Sequence, residues 1–263
     1  MDCITVVTVC YNAEKEIEST MRSVCDQDYP NMEYMIIDGA SKDNTLKIAE
    51  DIRNEYLGKS GLKIVIISEP DRGIYDAMNK GIAAASGQWI LFMNAGDYFY
   101  TVDSVSRMFE IQPDDNIMAV YGNSERFLGA SKKVIKAGKL EDIASGIPLP
   151  FCHQAIFVRS QCLKKVGFDT NYKQAADYDF FVKCYLQGYH FAYVDTIVCC
   201  YNMDGISSRN NIFHLKEKMK IRETHGLETY GFLKKAAMIG RLKMRHFIKC
   251  MMPKGLLRKI RGY

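Results

Sequence analysis

Along the first hundred residues, two kinds of segment alternate. Short β-branched or aromatic runs at Cys3–Val9, Glu33–Ile37, Lys63–Ile67 and Trp89–Met93 have the length of buried strands. Between them, apolar residues recur at helical spacing: Ile17, Met21, Val24 and Cys25, then Leu46, Ala49, Ile52 and Tyr56. Asn12 reads as the N-cap of the first helix, with Glu14 and Glu16 in its first turn. A loop holding Pro70 and Gly73 leads into a third helix, which Ser86-Gly87 ends. Strands separated by helices predict an α/β fold with a parallel, right-handed βαβ array. A fifth strand is expected at Ile117–Tyr121, and a further helix starts near Asp177, with Phe180, Phe181, Val182, Cys184 and Tyr185 following.

Parallel strands end on one edge. Tyr11, Asp38, the Asp71 loop and Asp97 therefore belong together. If strand order reverses between the first and fourth strands, Asp97 opens onto the crevice where such sheets bind ligands. Gly96 would let the backbone approach that ligand closely. Asn94-Ala95-Gly96-Asp97 also reads as a plain solvated turn, and the residues alone leave both readings open. A dinucleotide fingerprint would need GxGxxG after the first strand, where this chain has Cys10-Tyr11-Asn12-Ala13. A P-loop is absent too. An edge lined by carboxylates instead of glycines needs a metal to hold phosphates.

Composition adds bounds. The 263 residues are 48% hydrophobic and 25% charged, enough for one large α/β domain plus an appendage. Met1-Asp2 is acidic where a signal peptide is cationic, and no apolar run approaches the ~18 residues of a spanning helix. The nine cysteines form no CxxC pair, which fits reduced thiols and a cytoplasmic location. The net charge of +4 is uneven: Lys234 to Tyr263 holds ten Lys or Arg and no acid. On a helix from Leu233 to Met252, Leu233, Ala236, Ala237, Met244, Phe247, Ile248 and Met251 gather on one face. Lys234, Lys235, Arg241, Arg245 and Lys249 gather on the other. Such a helix can lie on an anionic membrane surface, which extends the expected location to the inner face of the cell membrane. Packing on the rest of the protein is the alternative. The tail holds no DNA-binding module, so no nucleic-acid partner is expected.

Several motifs in order resemble family 2 glycosyltransferases with the GT-A fold. They are V-T-V-C-Y-N at Val7, I-I-D-G-A-S-K-D-N-T at Ile36, E-P-D-R-G-I-Y-D-A-M-N-K-G at Glu69 and F-M-N-A-G-D at Phe92. C-H-Q-A at Cys152, A-D-Y-D-F at Ala176 and G-I-S-S at Gly205 follow. The block at Gly73 looks like the branch that decorates bacterial polysaccharides. The resemblance implies a Rossmann-like, mostly parallel sheet over residues 1–210, split into a donor half (1–100) and an acceptor half (101–210). Residues 211–263 then form a basic helical extension.

The resemblance also implies roles. Tyr11 and Asp38 would hold the uridine of a nucleotide-sugar donor, and Asp71 and Gly73 would line its pocket. A cap on the next helix is the alternative for Asp38. Asp76, Asn79 and Lys80 are expected to shape their helix. Asp97 matches the last carboxylate of the family's DxD-like motif and would bind Mg2+ or Mn2+, although Gly96 stands where many members have a second aspartate. Asp177 keeps the place of the family's catalytic base, with Ala176 in place of the usual Glu. Asp179 is expected to meet the helix dipole instead. His153 would build the acceptor or leaving-group side, or serve the structure only. Ser207 would lie in a loop used near the bound donor. The family's chemistry is inverting. The only tryptophan, Trp89, precedes the base, so the QxxRW motif of processive members is missing. The expected acceptor is a glycan or a polyprenyl-diphosphate-linked saccharide. A non-catalytic sugar-nucleotide-binding or scaffold protein with the same fold is the alternative function.

Overall fold

The structure, a computed structural model, describes residues 1–57, 62–128, 131–146, 148–202, 212–228 and 230–251. Its first half follows the predicted alternation: β1 (Ile4–Cys10), α1 (Ile17–Cys25), β2 (Met32–Asp38), α2 (Thr45–Tyr56), β3 (Lys63–Ser68), α3 (Ile74–Ala84) and β4 (Trp89–Phe92). After β5 (Tyr98–Phe99) and α4 (Ser104–Phe109) come β6 (Ile117–Leu128), β7 (Ser131–Ile135) and α5 (Asp142–Ser145). A 3-10 turn at His153–Ala155 leads into β8 (Ile156–Arg159), α6 (Ser160–Val166), α7 (Ala176–Leu186) and β9 (His190–Asn202). The helices α8 (Ile212–Thr224) and α9 (Phe232–Met251) follow.

Among the described residues, all the strands form one sheet in the order β3-β2-β1-β4-β8-β6-β9-β5, with β7 paired to β6. β1 to β4 are mutually parallel where they pair, and β8 turns antiparallel to β4. Order reverses at β1, which has β2 on one side and β4 on the other, so the crevice condition for Asp97 is met.

The uninterrupted apolar runs reflect burial on both faces. Val7 and Val9 of β1 enter one core with Ile90 and Phe92, against α3, α6, α7 and α8. Ile4 and Val6 enter the other with Trp89 and Leu91, against α1, α2 and α4. Each large apolar side chain so buried contributes roughly 1.5–3 kcal/mol. The described residues of the expected extension, 212–228 and 230–251, divide between two environments. Ile221 of α8 sits in the core with α7, whereas α9 exposes Leu233 (81%) and Met244 (58%). No described helix is long and apolar enough to cross a membrane.

One local expectation is corrected. Asn12 does not cap α1, which begins five residues later with Glu16 at its N-cap. Instead Asn12 takes φ 50° and its side-chain oxygen accepts from the Lys42 amide at 2.8 Å, joining the loops after β1 and β2. Gly96 takes φ 97°, the left-handed region that favours glycine.

Candidate active site

The register aligns Cys10, Asp38 and Ser68 across β1, β2 and β3 at their carboxyl ends. Asp38 is buried there and accepts from Ser68 Oγ at 2.6 Å and from the Ser41 amide at 3.1 Å. It therefore stabilises the turn after β2; the start of α2 is served by Asp43, which accepts from the Thr45 amide at 3.0 Å. The cap alternative for Asp38 is thereby ruled out. Ala40 in this turn has φ 59°, a strained value for a residue with a Cβ, and such strain gathers at functional loops.

Asp71 comes to the same place. A Cβ on Gly39 would fall 2.4 Å from Asp71 Oδ2 and 3.3 Å from the Tyr11 ring, so three consecutive βα loops converge here. Tyr11 is 62% exposed, an open aromatic face beside two carboxylates. Asp71 accepts from the Gly73 amide at 2.8 Å, and Gly73 itself has φ 122°. Among the described residues, no ion pair neutralises Asp38 or Asp71. Burial first, and then Asp38, push the Cys10 thiol well up, so it stays protonated. The α3 residues act on this loop and its neighbours as well as on their helix. Asp76 accepts from the Arg72 amide, Lys80 donates to the Pro70 carbonyl, and Asn79 bonds both backbone groups of Phe168.

Asp97 lies past β4, 8% exposed. Thr20 of α1 holds its turn, accepting from the Gly96 amide and donating to the Asp97 carbonyl. Gln154 donates to Asp97 Oδ2 at 2.8 Å. In the same turn Asn94 Oδ1 is buried with no hydrogen-bond partner. A carboxylate beside an orphaned amide oxygen is a hard-oxygen donor set that suits Mg2+ or Mn2+. Among the described residues no group of three or more His, Cys, Asp or Glu could hold a metal. An ion at Asp97 would thus take its remaining ligands from substrate phosphates and water.

Asp177 stands half-buried in the first turn of α7. Tyr75 of α3 donates to its Oδ1 at 2.9 Å. Burial first, and then Asp177, raise the Tyr75 hydroxyl well above its ordinary range and keep it a donor. Asp177 and His153 line one small cavity with Phe92, Phe168, Phe180 and Phe181. His153 Nε2 is buried without a partner. Burial lowers its pKa, while Asp177 opposes that. Asp179 points elsewhere, to Lys183 Nζ at 2.6 Å and His225 Nε2 at 2.7 Å. The divergence of the two aspartates on α7 agrees with helical geometry.

Sequence reasoning missed Tyr75 and Gln154. Tyr75 and Gln154 sit inside motifs that were legible, but nothing in their spacing says which member faces the carboxylate. Ser207 lies outside the described residues.

Comparison with known proteins gives one family. Its description is glycosyl transferase family 2, and residues 5–166 match. A glycosyltransferase of PGL/p-HBAD biosynthesis from Mycobacterium bovis is 29% identical over 207 residues, covering 76% of this chain and 77% of that protein. A fragment of S. aureus TarS solved with UDP superposes with a TM-score of 0.65 at 21% identity, over 93% of this chain and 72% of the fragment. The mannosyltransferase PcManGT from Pyrobaculum calidifontis, solved with GDP-Man and Mn2+, gives 0.65 at 18% identity over 88% and 66%. The mixed sheet flanked by helices is the GT-A fold shared with these neighbours.

Proposed function

The chain belongs to glycosyl transferase family 2, and from that premise we propose a specific reaction. It is an inverting, non-processive transfer of a sugar from a UDP-sugar to a glycan or polyprenyl-diphosphate-linked saccharide, in bacterial polysaccharide assembly. One observation carries the reading. Adjacent residues of a single turn touch both centres: His153 shares the cavity of Asp177, and Gln154 bonds Asp97. A leaving group at Asp97 and a hydroxyl at Asp177 would therefore meet across one residue step.

Tyr11 stacks on the base, and Asp38 and Asp71 accept from base N–H and ribose hydroxyls. Gly73 supplies the backbone turn that presents Asp71. Asp97 and Asn94 would hold a divalent ion, and when bound it would supply Lewis-acid neutralisation of the charge on the departing diphosphate. Asp177, oriented by Tyr75, takes the proton of the attacking hydroxyl. The aromatic walls of its cavity exclude water from that transfer. A single displacement needs no enzyme nucleophile, and the protonated Cys10 thiol at this edge offers none.

The acceptor reading gains from α9. Leu233 and Met244 are exposed, and basic residues run beside them with no acid in the helix. This helix would bring the enzyme to an anionic membrane surface, from the cytoplasmic side. A panel of nucleotide sugars, scored for nucleotide release with and without acceptor saccharides, tests the reaction. Selective UDP release from one UDP-sugar is expected, and no release from any donor would reject it.

A further inference from the structure

Two side chains of one short turn form a relay that ends on Asp97. The Cys152 carbonyl closes the 3-10 turn by accepting from the Ala155 amide at 3.0 Å. Ala155 is fully buried, so close packing holds the backbone here in place. Cys152 and Gln154 are half-buried on either side of His153. The Cys152 thiol donates to Gln154 Oε1 at 2.9 Å, and Gln154 Nε2 donates to Asp97 Oδ2 at 2.8 Å.

The polarity of this relay is forced. An ionised carboxylate only accepts, so the amide nitrogen must face Asp97. The amide oxygen then faces Cys152 and needs a donor, which the S–H group supplies. A flipped amide would set two acceptors face to face at Asp97. Cys152 thus decides which way Gln154 points. Thr20 acts on the same turn differently: it accepts from the Gly96 amide at 2.9 Å and donates to the Asp97 carbonyl at 2.8 Å. Thr20 fixes the backbone of Asp97, whereas Gln154 acts on the carboxylate itself.

An ion at Asp97 would have few protein ligands, since no group of three or more His, Cys, Asp or Glu could hold a metal among the described residues. Its affinity then depends on how each ligand is presented. A carboxylate oxygen that already accepts an N–H has a lone pair committed and is the weaker ligand of its pair. We infer that Gln154, aimed by Cys152, is a positioning residue that makes Asp97 a one-oxygen ligand and so favours Mg2+ or Mn2+ over Ca2+. Mg2+ demands near-ideal octahedral geometry and Mn2+ shares that preference, whereas Ca2+ takes more oxygens and accepts both from one carboxylate. The inference rests on the reading of Asp97 as the carboxylate that holds the ion.

The test uses the full chain with Gln154→Met, Cys152→Ala and Cys152→Ser. Calorimetry measures Mn2+ and Ca2+ binding in the presence of saturating UDP, and UDP binding in excess EDTA. The native protein should prefer Mn2+. Gln154→Met keeps the side-chain length and removes the donor. It should shrink the Mn2+ preference by about tenfold, the lower end of the range for losing the partner of a metal ligand. Cys152→Ala should shift the preference in the same direction by less. Cys152→Ser retains a hydroxyl donor and should stay within about twofold of the native protein. A native Mn2+-to-Ca2+ ratio in Gln154→Met overturns the inference and leaves the reading of Asp97 intact, and so does an equal loss on both ions. A lower melting temperature with an unchanged ratio shows a structural role and overturns the inference alone. An effect confined to UDP binding in EDTA marks a disturbed donor edge and likewise overturns it. A native protein that binds UDP but no Mn2+ overturns the inference together with the metal reading of Asp97. One that binds neither overturns the transferase reading as well.

Discussion

At the edge formed by β1 to β4, Asp38 ends its strand and Tyr11, Asp71 and Asp97 each lie shortly past the end of theirs. Around Asp177, the groups come from α3, the 3-10 turn and α7, and the Tyr75–Asp177 hydrogen bond joins residues 102 positions apart. The first region is a repeat of one local device, a strand followed by a polar turn. The second exists only where separate layers meet. An edge built this way can be altered loop by loop. The Asp177 cavity depends on every element that borders it, including Phe168, which Asn79 holds by both backbone groups.

Independent responses of the two regions should show this contrast. Asp177→Asn is expected to lower turnover by ~10²–10⁴-fold, the range for loss of a general base, with UDP affinity unchanged. Steady-state rates beside calorimetry check this, and near-native turnover would remove Asp177 from the chemistry. Excess EDTA, or Asp97→Ala, should cost at least about tenfold in turnover, because Lewis-acid stabilisation of a leaving group is worth several kcal/mol. Added Mn2+ should restore the chelated enzyme but not the variant. Full activity in chelator would exclude a metal role.

At the other end of the comparison, Tyr11→Ala should raise the UDP Kd by about tenfold, as expected for one lost stacking partner, with turnover at saturating donor nearly unchanged. An equal fall in turnover would show that the two regions are coupled. The smallest catalytic effect belongs to α9. Removing residues 232–263 should leave donor hydrolysis unchanged while abolishing sedimentation with anionic vesicles at low salt. Full-length protein that ignores such vesicles would leave α9 without a lipid role.

Much of the first region was legible before folding. A buried parallel strand reads as an apolar run, and its end is marked by the first polar turn residues, so Tyr11, Asp38 and Asp97 stand out. Finer points were not. Asn12 looked like a helix cap because its residue type suits one. The structure spends it instead on the loop after β2, an interaction 30 positions away.

By itself the sequence determined the alternation of strands and helices, the shared polar edge, the positions of Asp97 and Asp177, and the basic amphipathic tail. The alternation, the edge and the tail follow from local periodicity, and Asp97 and Asp177 from resemblance to family motifs; both are properties of short stretches of chain. Only the tertiary structure decided that Tyr75 orients Asp177, that Gln154 rather than His153 touches Asp97, and that α8 belongs to the core while α9 stands out from it. Those facts depend on which side chains from distant segments meet in a low-dielectric interior, where a single unpaired charge or orphaned acceptor is costly. No local pattern carries that information.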